Sequence, residues 1–285
     1  MATEPPSLRP MRPDEAVAVR ALAKAAFEDL ARRNDVTLGE EDAYDAEGAR
    51  AEHIARTHPA GAWVEESGGG LGGAALAVRQ EGVWGLALLV VRPDRQSAGV
   101  GRALLTQALA SAEGAAGAII LASRDWRGVR LYAQAGFTLE PSMAAEGIPR
   151  DVVAPRSVRE GSAADLELTA AVDRVARGGA RAADLAVELA NGGRLLVCEE
   201  RGYVVVEGNR VETLAALDEA AAADLLRAAM AGATGNFELE GLTARQPWAV
   251  REVLAAGLRI APQGPHLLRG DLGPFAPYLP SGTWL

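Results

Sequence analysis

The sequence predicts a mixed α/β protein built as two tandem copies of one sheet-and-helix domain. Three observations lead to this prediction. Helical and strand patterns alternate along the first half, and one uninterrupted apolar run suits a central strand. Short segments of the first half also recur, in the same order, in the second half. A chain of 285 residues is long enough for two domains that each bury a core.

The first half begins with two helices and a hairpin. Apolar residues at helical spacing predict a helix over residues 14–33, with Asp14 as its N-cap. A second helix is predicted over residues 49–56, where the chain approaches Pro59. The segments "GAWVEES" and "GAALAVRQ" then predict a β-hairpin around the turn "GGG".

A central strand and two strand-helix units follow the hairpin. The run "VWGLALLVV" (Val83–Val91) is apolar throughout, as expected of a strand buried on both faces. After the next helix, the pattern predicts a strand over residues 118–123, a helix over residues 126–135 and a further strand from Gly136. The first half is therefore predicted to form a mixed α/β layer around one sheet.

The second half repeats this order of elements. "REGSAADLEL" from Arg159 resembles "RPDEAVAV" near the start, and "LAAGLRIAP" resembles the earlier "AQAGFTLEP". A helix, a hairpin, a strand, an Ala-rich helix and another strand lie between the two recurring segments. Two recurrences in the same order predict an internal duplication, with a first domain over residues 1–150 and a second over residues 151–285.

Charge and composition restrict the partners. The net charge of −9 argues against nucleic acid and anionic membranes, and it is compatible with a cationic small substrate. No apolar run is long enough to cross a bilayer and the N-terminus has no signal-peptide pattern, so we expect a cytoplasmic protein. Cys198, the only cysteine, lies in an apolar run and is predicted to be a core residue. No metal site is predicted.

The stretch "VRPDRQSAGVGRALL" (residues 91–105) places Gly99 and Gly101 at the start of a helix. The first N–H groups of a helix are unpaired and its dipole is positive there, so a phosphate can bind if no Cβ blocks its approach. Gln96 can donate an amide hydrogen, and Arg102 adds positive charge. The alternative is a helix start whose small residues serve packing only.

Two segments together resemble the signatures of the GNAT N-acetyltransferase superfamily. Gln96, Gly99 and Gly101 fill the pattern Gln/Arg-x-x-Gly-x-Gly/Ala, which binds acyl-CoA in that family. "DWRGVRLYAQAGF" is similar to the second signature, an Asn before a helix that ends in Leu-Tyr and Gly-Phe. Asp125 stands where the Asn is usual, which is a departure from the pattern. The resemblance covers residues 8–148.

The resemblance implies a binding site for acetyl-CoA as co-substrate, in a gap between strand Val83–Val91 and the strand over residues 118–123. The pantetheine amides would pair with the end of the first of these strands, and the pyrophosphate would lie on the loop and helix start that follow. The implied cofactor-binding residues are Leu89, Val90, Val91, Gln96, Ser97, Ala98, Gly99, Val100, Gly101, Arg102 and Asp125.

Acetyl transfer to an amine needs a neutral amine, a polarised thioester carbonyl and a proton for the departing thiolate. Tyr132 matches the usual general acid of the family, and a phenol with a pKa near 10 suits a thiolate leaving group. The strand Val83–Val91 offers no carboxylate as a base. Other candidate bases are Glu28, Asp29, His53 and His58, each of which has a solvated surface role as its alternative, and no base is assigned.

Three aromatic residues, Phe27, Trp63 and Trp84, either line an acceptor pocket or belong to the core. The second copy has Val253 at the position of Tyr132 and no glycine at the helix start, where Asp218 and Glu219 lie. A degenerate second copy without acetyl-CoA is therefore predicted. It would complete the acceptor pocket of the first or serve as its partner in an internal pseudo-dimer.

The sequence as a whole predicts an acetyl-CoA-dependent N-acetyltransferase that acts on a small primary amine. The alternative is a catalytically silent acyl-CoA-binding sensor or interaction module. Either is expected as a monomer with an internal pseudo-dimer or as a homodimer. The Pro- and Gly-rich tail "GPFAPYLPSGTWL" is predicted to be pinned across a surface, with closure of the acceptor site as a further hypothesis.

Overall fold

The structure, a computed structural model, describes residues 6–34, 48–280 and 282. Its helices are α1 (Ala16–Asn34), α2 (Ala49–Thr57), α3 (Val100–Ala110), α4 (Trp126–Gln134), α5 (Leu166–Ala176), α6 (Ala182–Ala190), α7 (Glu219–Ala231) and α8 (Pro247–Ala255). Its strands are β1 (Ser7–Pro10), β2 (Ala62–Ser67), β3 (Gly70–Gln80), β4 (Val83–Val91), β5 (Gly117–Leu121), β6 (Thr138–Glu140), β7 (Met143–Gly147), β8 (Val158–Glu160), β9 (Arg194–Cys198), β10 (Gly202–Glu207), β11 (Arg210–Ala216), β12 (Phe237–Leu242), β13 (Arg259–Pro262), β14 (His266–Gly270) and β15 (Tyr278–Leu279).

The chain divides into two compact units. The first unit contains the residues up to Arg79 together with Trp84–Ala115, and the second contains Gln80–Val83 and the residues from Ala116 onward. Helices and mixed sheets alternate as predicted, which confirms the mixed α/β class. None of the helices in the described ranges is long and apolar enough to traverse a bilayer. The domain boundary near residue 150 stays a prediction.

The first unit carries the strands β1, β2, β3 and β4 in that order. β1 and β2 are antiparallel, with Arg9 opposite Val64, and β2 forms the predicted hairpin with β3. Strand β3 is buried over most of its length, and its glycines and alanines allow close packing. A Cβ at Gly73 would lie 2.7 Å from Leu104 of α3, so this helix packs directly on the strand.

A short 3-10 turn, Pro13–Glu15, precedes α1, and the predicted N-cap at Asp14 is wrong. The turn is capped by Glu15, whose carboxylate accepts a hydrogen bond from the backbone N–H of Arg12 at 2.8 Å. The same carboxylate lies 2.5 Å from a guanidinium nitrogen of Arg9. These contacts, the Arg9 hydrogen bond above all, lower the pKa of Glu15 to about 2.

In the second unit, strands that precede residue 150 pair with strands that follow it. β14, from near the C-terminus, lies between β5 and β6, and β7 lies between β13 and β12 in a sheet that continues through β11, β10, β9 and β8. The sequence did not predict β7, β8, β13 or β14. These strands are three to five residues long and carry no regular alternation, so their pairing depends on partners distant in sequence.

The second unit buries an ion pair in addition to its apolar core. Arg181 and Asp173 are both inaccessible at their side chains, and their nearest N–O distance is 3.2 Å. The guanidinium also donates to the hydroxyls of Tyr203, Thr213 and Tyr278, so the buried charge is hydrogen-bonded on several sides. Cys198 is fully buried in the apolar core, as predicted.

The C-terminal tail is pinned, as predicted, and its described part forms a short strand. β15 pairs antiparallel with β11, with Tyr278 opposite Ala215 and Leu279 opposite Leu214. Beyond this pairing, the Thr213 hydroxyl donates to the carbonyl of Leu279 at 2.9 Å. Closure of an acceptor site by the tail stays a prediction.

Candidate active site

The loop between β4 and α3 lies in the first unit. It begins with a 3-10 turn, Pro93–Arg95, and ends at Gly99, the N-cap of α3. Gly99 has φ +85° and ψ −4°, and Ser97 also has a positive φ of +65°. L-residues avoid this left-handed region, so the loop needs glycine at its last position to enter the helix.

The space beside Gly99 is open. A Cβ at this position would meet no protein atom within 4 Å. Packing therefore does not require a small residue here, in contrast to Gly73, where a Cβ would clash with α3. Gly99 leaves the neighbouring backbone N–H groups open to a ligand, as the binding of a phosphate requires.

The backbone amides of the loop are available as donors. The first hydrogen bond of α3 joins the N–H of Ala103 to the carbonyl of Gly99 at 3.0 Å. Within the described part of the chain, no acceptor pairs with the N–H groups of the five residues Ser97, Ala98, Gly99, Val100 and Gly101. Unpaired donors at the positive end of a helix dipole favour an anion, so this loop has the features of an anion site.

The other predicted residues of the loop have different surroundings. The side-chain amide of Gln96 donates to the carbonyl of Val91 at 3.0 Å and ties the loop to the end of β4. The sequence analysis had predicted that this amide donates to a phosphate. Arg102 is exposed on the first turn of α3, as expected of a residue at the rim of an anion site. At the end of β4, Leu89 and Val91 are half-buried and Val90 is buried.

A buried carboxylate supports the loop, and the sequence analysis missed it. Glu65 on β2 is inaccessible and accepts a hydrogen bond from Arg95 at 2.9 Å. Arg95 belongs to the turn directly before Gln96, so the pair fixes the entry to the loop. A Cβ at Gly72 would overlap the Glu65 carboxylate. "AWVEES" has two adjacent glutamates, and nothing in that pattern distinguishes the buried Glu65 from the exposed Glu66.

The two predicted residues of α4 lie in the second unit. Asp125 is the N-cap of this helix and accepts from the backbone N–H of Arg127 at 3.0 Å. The Arg127 guanidinium also lies 2.6 Å from the carboxylate. Asp and Asn are about equally good N-caps, so the cap is kept although the chain departs here from the Asn of the GNAT pattern. Its carboxylate is occupied by these contacts, and a role in cofactor binding stays a prediction.

Tyr132 is 8% exposed on α4, and burial raises the pKa of its phenol above the ordinary value of 10, with the charge of Asp125 adding to the effect. The phenol is therefore protonated at neutral pH, as a proton donor must be. Its hydroxyl makes no hydrogen bond to another residue in the ranges that the structure describes. The proton is thus free to be donated to a ligand.

The candidate bases chosen from the sequence have ordinary helix-surface environments. Asp29 pairs with Arg33 at 2.8 Å, one turn further along α1. His58 accepts a long hydrogen bond of 3.4 Å from the backbone N–H of Arg79. Glu28 and His53 are half-buried on α1 and α2. The surface role is therefore the better interpretation of all four candidates.

Of the three aromatic candidates, one is core and two are accessible. Trp84 is fully buried, and its indole N–H donates to the hydroxyl of Ser111 at 2.9 Å. Trp63 is half-buried and donates to the carbonyl of Ala60, and Phe27 is 40% exposed. Trp84 therefore stabilises the first unit and does not line a pocket.

The corresponding helix start in the second half differs from the loop at Gly99. Asp218 is the N-cap of α7 and accepts from the N–H of Ala221 at 2.9 Å, and Arg201 pairs with the same carboxylate at 2.9 Å. A carboxylate there occupies the donors and repels a phosphate. Val253, at the position of Tyr132, is fully buried in the core.

Known proteins with a GNAT acetyltransferase domain are similar to the part of the chain that contains this loop. A glycine-capped anion site after a central strand, on a mixed α/β fold, is typical of enzymes that hold a nucleotide-containing group carrier. Residues 58–139 match the family model of the acetyltransferase (GNAT) domain. The match spans 82 of the 285 residues, so the chain is similar to the GNAT acetyltransferases over that segment.

Solved structures share the fold over nearly the whole chain. A proposed acetyltransferase from Pyrococcus horikoshii is similar with a TM-score of 0.81 at 16% identity, over 100% of this chain and 98% of that one. An N-acetyltransferase of the same superfamily from Sphaerobacter thermophilus gives 0.58 at 14% identity, over 99% and 100%. A tandem GNAT protein of the clavulanic acid biosynthesis pathway gives 0.56 at 16% identity, over 94% and 98%. A search of curated protein sequences gave no significant match.

Proposed function

We propose that this protein transfers the acetyl group of acetyl-CoA to a small primary amine. One observation carries the proposal: the open space at Gly99, beside five loop amides without a protein acceptor. The net charge of −9 further favours a cationic acceptor, because an amine is protonated in solution at neutral pH.

In this proposal the chain holds the co-substrate mainly through its backbone. The amides of residues 97–101 bind the pyrophosphate, and Arg102 adds positive charge at the rim. The end of β4, residues Leu89 to Val91, pairs with the pantetheine amides. The buried Glu65–Arg95 pair acts indirectly, because it holds the turn from which the loop starts.

The chemical step assigns Tyr132 the role of general acid. The amine nitrogen forms a bond to the thioester carbon, the C–S bond breaks, and the electron pair leaves on sulfur. Tyr132 then donates its proton to the thiolate, the new amide nitrogen loses its extra proton to water, and the phenolate regains a proton from water. Burial keeps this phenol protonated at neutral pH and also makes it a weaker acid than a thiol, so the transfer requires the leaving sulfur to lie within hydrogen-bond distance of the hydroxyl. The absence of a hydrogen-bond partner for the hydroxyl in the described residues supports this role.

The deciding experiment combines calorimetry with a thiol-release assay. We expect acetyl-CoA to bind, and free thiol to appear with at least one member of a panel of amines, polyamines, aminoglycosides and amino acids. Binding without thiol release from any amine would favour the alternative function, a silent acyl-CoA-binding sensor. No binding at all would contradict both functions.

The variant Tyr132→Phe tests the acid. We expect kcat to fall by about 10²- to 10⁴-fold, the usual contribution of a general acid, with the Kd for acetyl-CoA unchanged. The hydroxyl makes no protein hydrogen bond among the described residues, so the free energy of unfolding should change little. Unchanged kcat would show that another group protonates the thiolate.

We also infer that only one acetyl-CoA binds per chain, in the predicted domain of residues 1–150. The N-cap carboxylate of Asp218 supports this inference for the domain of residues 151–285. Calorimetric stoichiometry tests it, and two sites per chain would contradict it.

A further inference from the structure

The anion loop, residues 97–101, follows a turn that is attached to the strands of the first unit at three points. Each attachment is a hydrogen bond of 2.9 to 3.0 Å. The pairs are the Arg92 N–H with the Gly72 carbonyl, the Arg95 guanidinium with the Glu65 carboxylate, and the Gln96 side-chain amide with the Val91 carbonyl. The amides of the anion loop have no acceptor in the described part of the chain, so these attachments and the start of α3 hold the loop.

Ser97, the first residue of the anion loop, has an unfavourable backbone conformation. Its φ is +65°, in the left-handed region, although it is not a glycine. A residue with a Cβ adopts this region about 5- to 30-fold less often than the right-handed one. Ser97 is exposed, so packing of its side chain does not compensate this preference. The two residues before it, Arg95 and Gln96, carry two of the three attachments and thereby hold the chain in this conformation.

The Glu65–Arg95 pair is an unfavourable way to stabilise a fold. Glu65 is fully buried, and its Oε2 atom and the Nε atom of Arg95 are both buried without a hydrogen-bond partner among the described residues. A buried pair that is only partly hydrogen-bonded often stabilises a protein less than two apolar side chains of similar volume. The strands even adapt to the carboxylate, because Gly72 forms a bulge on β3 where a Cβ would overlap it. An unfavourable contact beside a strained loop indicates a functional role.

We propose that Glu65 is a positioning residue for acetyl-CoA. Through Arg95 it keeps Ser97 in the left-handed region, so the anion loop has its binding conformation before the co-substrate arrives. The inference rests on the proposed function of this loop. A loop that is already ordered binds its ligand more tightly, because the cost of ordering is not subtracted from the binding free energy. The pair therefore acts on the affinity for acetyl-CoA.

The first test replaces the pair by apolar side chains. The double variant Glu65→Met/Arg95→Met has no buried charge at this position, so its urea denaturation midpoint should equal or exceed that of the wild type. Without the attachment, Ser97 leaves the left-handed region more often, and we expect the calorimetric Kd for acetyl-CoA to rise by about 5- to 30-fold. A wild-type Kd would overturn the proposal. A loss of stability that accompanies the loss of affinity would also overturn it, because the pair would then be merely structural.

The second test is a rescue at Ser97. Glycine enters the left-handed region without a steric penalty, so Ser97→Gly added to the double variant should restore most of the lost affinity. In the wild-type background the same replacement should increase the affinity by a smaller factor, because the attachments already hold the conformation. An equal effect of Ser97→Gly in the two backgrounds would show that Glu65 and Ser97 act independently, and the proposal would fail.

The matched control is Glu66→Gln on the same strand. Glu66 is the neighbour of Glu65, but it is exposed and pairs with Arg9 at 2.8 Å. Arg9 belongs to β1 and not to the turn, so the Kd for acetyl-CoA should stay as in the wild type. If this control weakens binding as much as the double variant does, the effect belongs to β2 in general and Glu65 has no specific role.

The outcomes separate this inference from the proposed function. If the wild type binds acetyl-CoA and the double variant binds it equally well, only the role of Glu65 fails, and the loop stays the proposed site of the co-substrate. If the wild type shows no binding of acetyl-CoA, the proposed function itself fails and the inference fails with it.

Discussion

Replacing Gly99 by Ala tests the anion site most directly. The new Cβ meets no protein atom, so the cost to the fold is the left-handed φ of +85°, about 1–2 kcal/mol for a residue other than glycine. The Cβ projects into the space that a phosphate would use. If it separates the pyrophosphate from two amides, each charge-assisted hydrogen bond contributes about 1.5–3 kcal/mol. We therefore expect at least about 3 kcal/mol of lost binding energy, roughly 100-fold or more in Kd.

The matched control is Gly69→Ala in the turn between β2 and β3. Gly69 has φ +80° and equally open surroundings, so its replacement should reduce the free energy of unfolding by the same amount. Calorimetry should give a normal Kd for acetyl-CoA in this control and a greatly weakened one in Gly99→Ala, with stability measured by urea denaturation. If Gly99→Ala binds acetyl-CoA like the wild type, or if both variants lose affinity equally, the loop is not the phosphate site.

Three further predictions concern stability. The folded-state pKa of Glu15 is lowered from 4.5 to about 2, so its contribution is fully present above pH 4.5 and is lost as pH falls through 2. Glu15→Gln should cost about 3 kcal/mol at pH 7 by urea denaturation and about 0.4 kcal/mol at pH 2. The pKa of His266 is lowered from 6.5 to about 4, so the unfolded chain binds the proton more tightly between these values, and the wild type should lose about 2 kcal/mol from pH 7 to pH 5. His266→Asn should lack this loss, and an unchanged pH dependence in that variant would contradict the burial argument. Asp218→Ala should cost about 1 kcal/mol through the lost N-cap of α7 in thermal denaturation, with the number of acetyl-CoA molecules bound per chain unchanged.

The sequence alone predicted the central strand of the first unit and the helix that follows it. The run Val83–Val91 is a strand with the predicted bounds, and the helix after Gly99 begins at Val100. These elements have strong local signals: continuous apolar character in the strand, and glycine where φ is positive. The unpaired loop amides follow from the same signals, because any helix leaves its first N–H groups without intrahelical partners.

What the sequence could not predict depends on contacts between distant residues. Gln96 ties the loop to Val91, although its residue type suits phosphate binding equally well. Glu65 is buried because Arg95, thirty positions later, provides a counter-charge, and no local pattern encodes that distance. His266 lies on a five-residue strand whose two neighbours, β5 and β6, precede it by more than a hundred residues. In each case tertiary pairing decides the environment of the side chain.

The insertion of β14 between β5 and β6 gives the second half a structural role even without a cofactor site. β14 lies between β5 and β6, and α4, which joins those two strands in sequence, carries Tyr132. Without β14, the backbone hydrogen bonds that β5 and β6 form with it would be lost, and β6 would be detached from its sheet. The same half also contributes Arg245, which forms an ion pair with Glu140 of β6 at 3.0 Å. The second half can therefore carry Asp218 at the start of α7, where a phosphate is disfavoured, and still stabilise β5 and β6 through β14.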